Sequence, residues 1–307
     1  MDGRLSSTLT GISGILVAPF DPEDEFDAGP LKPIIDKAIG AGVHILVANG
    51  NTGEFYGLTI EEAENFVRVV AEQIDGRVPL LAGVGRSVKD ACRLAKLSAS
   101  AGASALMVHQ PPDPFAAPRG FVEYVRRVRD AADGLPLVLY LRNDTIGISA
   151  ISEVCTLDGV IGVKWATPNS LKLAAAIKAC PDHIVWVGGL AEVWAPAFYA
   201  VGARGFTSGL INVWPERSVA IHEALEKGDY QTANGLIDGM QDFEEVRAEE
   251  LNGTNVTVVK AALAMMGCDC GPTRPPSAWP LTGSQSAKVR SFLDRHGLLG
   301  PTGGESS

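Results

Sequence analysis

The residues whose types and spacing could do chemistry are one lysine, one tyrosine and a set of glycine-rich turns. Lys164 stands inside the apolar run Gly159-Val160-Ile161-Gly162-Val163-Lys164-Trp165-Ala166-Thr167, closed by Pro168. Such a run reads as a strand buried on both faces. Taking an ammonium out of water is costly, so the lysine either snorkels out at a strand end or is an amine that burial holds neutral. An ordinary lysine, pKa about 10.4, is only about 0.1% neutral near pH ~7.4; a fall of about three units frees the amine to attack a carbonyl. Lys260, in the apolar helical stretch 256–266, is the one competitor, since the other lysines fall in helix-like or polar stretches that can face solvent. Tyr140 could relay protons to such an amine, or simply fill the core. Arg142 could bind a distal carboxylate, or form a surface ion pair. The turn Gly50-Asn51-Thr52-Gly53-Glu54 lets the backbone approach a ligand, and its amides with the Thr52 hydroxyl could hold a carboxylate. Gly188-Gly189 permits the same close approach, although a plain tight turn has that composition too. His44, His109 and His183 lack metal-ligand spacing and read as structural, so no metal site is expected.

These residues fall at the ends of apolar runs that alternate with helical patterns. Strands are expected over 11–20, 43–48, 78–84, 103–109, 136–141, around Lys164, 183–188 and 205–208. Helices are expected over 28–39, 59–74, 87–101, 118–132, 148–157, 170–180, 192–199 and after Pro215. Thr59 with Glu62 has the form of a capping box. Ala41-Gly42-Val43, Ala101-Gly102-Ala103 and Val201-Gly202-Ala203 repeat a helix-ending glycine that feeds a strand. Eight strand–helix alternations predict an α/β chain folded as a (β/α)8 barrel over residues 1–228, with active groups at the C-terminal strand ends. A doubly wound sheet is the second choice, but no Gly-x-Gly-x-x-Gly turn follows the first strand. Residues 229–250, 255–266 and 283–296 read as three helices forming a C-terminal extension over 229–300, followed by a disordered tail at 301–307.

Bulk properties narrow the function classes. The 307 residues are 46% hydrophobic, enough for a large core, and a net charge of −10 argues against nucleic acid or an anionic membrane as partner. No apolar run reaches transmembrane length and residues 1–7 carry no signal-like apolar segment, so the expected location is cytoplasmic. Five scattered cysteines suggest neither a disulfide framework nor a zinc site.

In order along the chain, residues 14–20, Gly50-Asn51-Thr52-Gly53-Glu54, Ala82-Gly83-Val84-Gly85, Tyr140, Gly162-Val163-Lys164-Trp165-Ala166-Thr167 and Gly188-Gly189 resemble the dihydrodipicolinate synthase / N-acetylneuraminate lyase family over essentially the whole length. The resemblance implies a TIM barrel with a C-terminal helical extension, assembled as a homotetramer built as a dimer of dimers, or as a homodimer. It implies that Lys164 forms a Schiff base with a 2-keto acid, that Tyr140 transfers protons, and that Asn51, Thr52 and Gly53 hold the carboxylate beside the keto group. Three departures point within the family. Thr145 stands where dihydrodipicolinate synthases carry an arginine, Pro112 stands near the position of their relay tyrosine, and Asn51 replaces the first threonine of their turn. Gly53-Glu54-Phe55-Tyr56-Gly57-Leu58-Thr59, Arg142, Gly188-Gly189-Leu190-Ala191-Glu192, Phe206-Thr207-Ser208-Gly209 and Gly271-Pro272-Thr273-Arg274-Pro275-Pro276 instead look like the 5-dehydro-4-deoxyglucarate dehydratase branch.

The expected activity is therefore a class I, Schiff-base lyase acting on a small 2-keto acid, first as a dehydratase that can also decarboxylate. Arg142, Ser208 and Asn255 are its candidate contacts for the far carboxylate or hydroxyls. No cofactor is called for, because the imine is itself the electron sink. An aldolase or synthase of the same family, 4-hydroxy-tetrahydrodipicolinate synthase or a pyruvate retro-aldolase, is the alternative. A barrel that binds a keto acid without turning it over is the alternative of another class, motivated by Pro112.

Overall fold

The computed structural model describes residues 3–299. Eight short parallel strands, β1 (Ile12–Ile15), β2 (Ile45–Ala48), β3 (Leu80–Val84), β4 (Ala105–His109), β5 (Leu137–Leu141), β6 (Val160–Trp165), β7 (Val185–Gly188) and β8 (Phe206–Ser208), close in sequence order. The ring is completed by β8 against β1, with Gly14 opposite Ser208. Helix α1 (Gly3–Leu9) precedes the strands, α2 (Leu31–Gly40), α3 (Ile60–Ile74), α4 (Val88–Ser100), α5 (Pro118–Ala131), α6 (Ile148–Cys155), α7 (Ser170–Ala179) and α8 (Ala191–Tyr199) link them, and α9 (Pro215–Glu226) follows β8. Helices α10 (Tyr230–Asp238), α11 (Gln241–Asn252), α12 (Asn255–Met265) and α13 (Gly283–Arg295) follow.

The strands are apolar along their whole length because both faces are covered. One face packs on the helix ring, as with Ala63, Phe66, Val67, Val70 and Ile74, which recur at helical spacing on the buried stripe of α3. The other face fills the barrel, where Ile15, Ile45, Val47, Leu81, Met107, Val138 and Ile161 cluster with Leu5 and Leu9 of α1. At the ends of the helices, Gly42, Gly102 and Gly202 have φ of 98°, 88° and 112°, a left-handed conformation that side chains disfavour. Thr59 caps α3 as the sequence predicts, its hydroxyl accepting from Glu62 N while Glu62 accepts from Thr59 N.

Three features differ from the sequence reading. Among the described residues, the stretch 11–20 forms strand only over Ile12–Ile15, and Phe20 returns to pair with Phe26 across an acidic turn. Segment α1 was not foreseen as a helix; it lies against β1, β6 and β7 and plugs the barrel with Leu9. The three-helix extension is four helices, because 229–250 breaks at Gly239-Met240 and α11 itself ends in Glu250, Leu251 and Asn252 at positive φ. The tail at 301–307 lies outside the described residues.

Candidate active site

Strand register builds the site. His109 ends β4 opposite Tyr140 of β5, and Tyr140 stands opposite Lys164 of β6. The three side chains form one row across adjacent strands near their C-terminal ends. Lys164 is 4% exposed, and its Nζ lies 3.8 Å from the centroid of the Tyr140 ring, with no ion pair or hydrogen bond among the described residues. Burial, and next the repulsion of the Arg142 guanidinium, brings its pKa down to about 7. Among the described residues a cation–π contact is the only compensation the ammonium has there. Lys260, the competing lysine, is equally buried but fully engaged: its Nζ lies 2.7 Å from Glu54 Oε1 and donates to Pro272 O at 2.8 Å. The two buried lysines thus differ in what they face, and only Lys164 is left available.

Tyr140 is buried, which pushes its phenol up to about 12, while the Arg142 charge and the Asn51 hydrogen bond act the other way. Asn51 Nδ2 donates to Tyr140 Oη at 3.0 Å. That bond uses the phenolic oxygen as acceptor, so the phenolic proton has no acceptor among the described residues. The turn carrying Asn51 is pinned from below. Asn49, at φ 58°, donates from Nδ2 to Ala63 O at 3.0 Å, and its carbonyl accepts from His109 Nε2 at 2.9 Å. Gly83 lets this happen, since a Cβ there would meet Asn49 O at 2.1 Å. Neither the Asn51 nor the Thr52 amide donates to an acceptor among the described residues, and the Thr52 hydroxyl is likewise uncommitted. Two free amides beside a hydroxyl make an anion cradle next to Tyr140. Its outer edge is held by Glu54, also at positive φ, through Lys260 and through Arg274 N at 2.8 Å.

Arg142 is exposed in the loop after β5 and makes no ion pair among the described residues. Its charge acts on Lys164, Tyr140, His109 and Tyr56 alike. Gly189 crosses the end of β6, donating to Trp165 O at 2.7 Å, and a Cβ there would strike the same carbonyl; Gly188 is the last residue of β7 and pairs with Trp165. Ser208, at the end of β8, is buried with its hydroxyl bonded to Ser218 Oγ at 3.1 Å and accepting from Ile211 N. Ser218 Oγ in turn donates to Glu192 Oε1 at 2.5 Å, so Ser208 is tied into a buried network and not into the Lys164 row. Asn255 opens α12 and accepts from Arg247 Nη2 at 3.0 Å. Thr145 is exposed beyond the site, and Pro112 is exposed in the loop after β4.

Sequence reasoning did not single out three contributors. His109, read as structural, carries the row and stacks on Phe55 at 4.4 Å; burial and the Lys164 charge bring it down to about 3, so it is neutral. Gln110 accepts from the Arg142 and Asn143 amides at 2.9 and 2.8 Å and donates to Asn143 O, fixing the loop that carries Arg142. Tyr56 stands edge-on to His109 at 5.7 Å. Only the first had a signal: its place at the end of the fourth strand, beside the predicted positions of Tyr140 and Lys164. A cavity of ≈ 970 Å³ opens at the opposite end of the barrel, lined in part by Leu5, His44 and Ile161, and contains none of these groups.

Known proteins resemble the chain over most of its length. Residues 8–296 match the Dihydrodipicolinate synthetase family. A Streptomyces coelicolor protein named probable 5-dehydro-4-deoxyglucarate dehydratase 1 is 33% identical over 288 residues, 90% of each chain. A 4-hydroxy-tetrahydrodipicolinate synthase of Maridesulfovibrio salexigens is 32% identical, covering 95% of this chain and 100% of its own. The crystal structure of dihydrodipicolinate synthase from Oceanobacillus iheyensis superimposes with a TM-score of 0.92 at 36% identity, over 96% of this chain and 99% of that one. With the barrel and the match over nearly the whole chain in agreement, the protein belongs to the dihydrodipicolinate synthetase family and is a lyase of that family.

Proposed function

We propose that the protein is a Schiff-base-forming lyase of 2-keto acids, and that its reaction is a dehydration, coupled to decarboxylation, of an acid of the 5-dehydro-4-deoxyglucarate type. The observation that carries this reading is Lys164 Nζ: buried, unpaired and set on the face of Tyr140. The neutral amine adds to the keto carbon; Tyr140 supplies the proton with which the carbinolamine oxygen leaves as water, giving an iminium. Loss of a proton from the adjacent carbon gives the enamine, whose electrons expel the hydroxyl on the following carbon, which takes up a proton and leaves as a second water. The far carboxylate then leaves as carbon dioxide, its bonding electrons passing into the conjugated iminium, and a proton is taken up in its place. Water hydrolyses the imine to free the product and Lys164. The free amides of Asn51 and Thr52, with the Thr52 hydroxyl, hold the carboxylate beside the keto group, the Gly53 amide being taken up by Gly50 O at 3.0 Å; Gly188 and Gly189 serve the close packing of β6 and β7, and Arg142 binds the far carboxylate. We further propose a cytoplasmic homotetramer or homodimer. The free cysteines favour the first point, and Phe115 (92% exposed) and Leu171 (81% exposed) supply apolar surface for the second.

The relatives named as synthases favour a second reading, in which the same enamine attacks an aldehyde and makes a carbon–carbon bond. Turnover separates the two. Purified protein is incubated with 5-dehydro-4-deoxyglucarate, or with pyruvate plus an aldehyde acceptor, and products are followed by mass spectrometry against Lys164→Ala. Loss of water and carbon dioxide from the first, absent in the variant, is the expected result. An untouched deoxy-keto acid together with a condensation product overturns the dehydratase assignment.

A further inference from the structure

Two cysteines that the chemistry above does not use stand where the C-terminal extension is fastened to the turn after β2. Residues 267–274 leave α12 as a strap that runs to the edge of that turn. Lys260 Nζ donates to Pro272 O at 2.8 Å and pairs with Glu54, and Arg274 N donates to Glu54 Oε2 at 2.8 Å. The root of the strap is fixed on the loop after β1: Phe20 N donates to Cys270 O at 3.0 Å, and a Cβ on Gly271, at φ 69°, would strike Phe20 O. Cys268 and Cys270 meet across Asp269, whose Oδ1 accepts from Gly271 N at 2.9 Å and bends the chain there. Cys270 Sγ lies 3.8 Å from Cys268 O, and the two thiols share a hydrogen bond. That bond brings the Cys268 thiol down to about 7, and giving it, together with burial, pushes the Cys270 thiol up. Cys270 is fully buried, whereas Cys268 is partly exposed. One thiol can be reached and is reactive; the other is shielded and adjacent to it.

We propose that Cys268 and Cys270 are a dithiol modification site: a small-molecule disulfide converts them to a reversible Cys268–Cys270 bridge, and closing the bridge loosens the strap's hold on the turn after β2. The Cys268 thiolate attacks one sulfur of the reagent, forms a mixed disulfide and expels one thiolate, which takes up the proton that Cys270 releases. The Cys270 thiolate then attacks Cys268 Sγ and expels the second. Two cysteine thiols are oxidised, and one small disulfide is reduced to a thiol and a thiolate. A bridge across a single intervening residue forces the backbone at 268–270 to tighten. The bond from Phe20 N ends on Cys270 itself, and Pro272 and Arg274 follow within four residues, so the ties to Lys260 and Glu54 move with it.

The test incubates the full chain with oxidised glutathione, with and without later dithiothreitol, then alkylates and maps the cysteines by mass spectrometry. Hydrogen exchange of the peptide spanning 50–59 is followed in the same samples. The account predicts that two of the five free thiols are lost to a bridge between Cys268 and Cys270. Exchange in the 50–59 peptide speeds up about tenfold or more, and dithiothreitol restores it. Cys268→Ser forms no bridge and exchanges equally with and without the reagent. Cys270→Ala stops at a mixed disulfide on Cys268 and forms it more slowly at pH ~7, because the hydrogen bond that lowers the Cys268 thiol is gone. Thiols left unreacted in the folded protein, a bridge between Cys155 and Cys180 instead, or a 268–270 bridge that leaves exchange unchanged overturns the proposal. Neither readout involves a substrate, so the Schiff-base reading stands or falls separately.

Discussion

At the scale of single residues, the site depends on one amine whose charge the fold resists. Lys164 has an ordinary value of 10.5 and is brought down to about 7 by burial and by Arg142. Imine formation needs the neutral amine, so its rate rises with pH and levels off above about 7. Replacing Arg142 by Gln removes a repulsion, so the Lys164 pKa rises and the rising limb of the pH–rate profile for trapping shifts to higher pH. A limb that stays in place or moves down contradicts that coupling. The same perturbation costs stability. An unfolded lysine binds its proton at every pH below 10.5, whereas the folded one does so only below about 7, so stability declines as pH falls across that interval. Lys164→Met is therefore expected to raise stability at pH 8 by roughly 2–3 kcal/mol while abolishing activity, as read by denaturant unfolding. Lys164 was legible in the sequence because a charge inside an apolar strand is conspicuous. Arg247 was not, since an arginine in a charged helical stretch looks the same whether it faces water or is buried against Glu244 and Asn255.

At the scale of elements, the turn after β2 is the part most elaborately held. Asn49 and His109 fix its base, and Glu54 with Lys260 and Arg274 ties its outer edge to α12 and the segment before α13. Burial pushes the Glu54 carboxyl up and the Lys260 amine down, each opposed by the partner's charge, so the pair persists only while both members are present. Glu54→Gln leaves a buried ammonium without its counter-ion and is expected to destabilise the protein by about 3 kcal/mol in denaturant melts. The double variant Glu54→Gln with Lys260→Met removes both charges and recovers part of that loss; a double variant weaker than the single one contradicts the pairing. The capping box of α3 could be read from Thr59 and Glu62 because its partners are three residues apart. The Glu54–Lys260 pair could not, because its members come from different ends of the chain and meet only through tertiary packing. The break within 229–250 was also hidden: Gly239 is tolerated inside many helical patterns, and Leu251 gives no sign of its left-handed φ of 59°.

At the scale of the whole molecule, the closed parallel barrel sets the site by register alone. His109, Tyr140 and Lys164 come from three consecutive strands and stand in one row because neighbouring strands pair without an intervening slip at that level. This much follows from recurring strand and helix periods, which is why the barrel was legible; the plug formed by α1 was not, because a seven-residue helix carries too little periodicity. A net charge of −10 makes the protein a poor general binder of anions, so Arg142, in the loop after β5 and without an ion pair among the described residues, stands out as a local positive charge for the proposed keto acid. The central claim is that Lys164 is the nucleophile, and it is tested most directly by borohydride reduction of the whole protein with pyruvate and a panel of 2-keto-3-deoxy sugar acids. The account predicts one reduced adduct per chain by intact mass, located on the peptide containing Lys164 and absent from Lys164→Ala. A folded protein that gives no adduct with any of these acids, or an adduct on Lys260 instead, would contradict it.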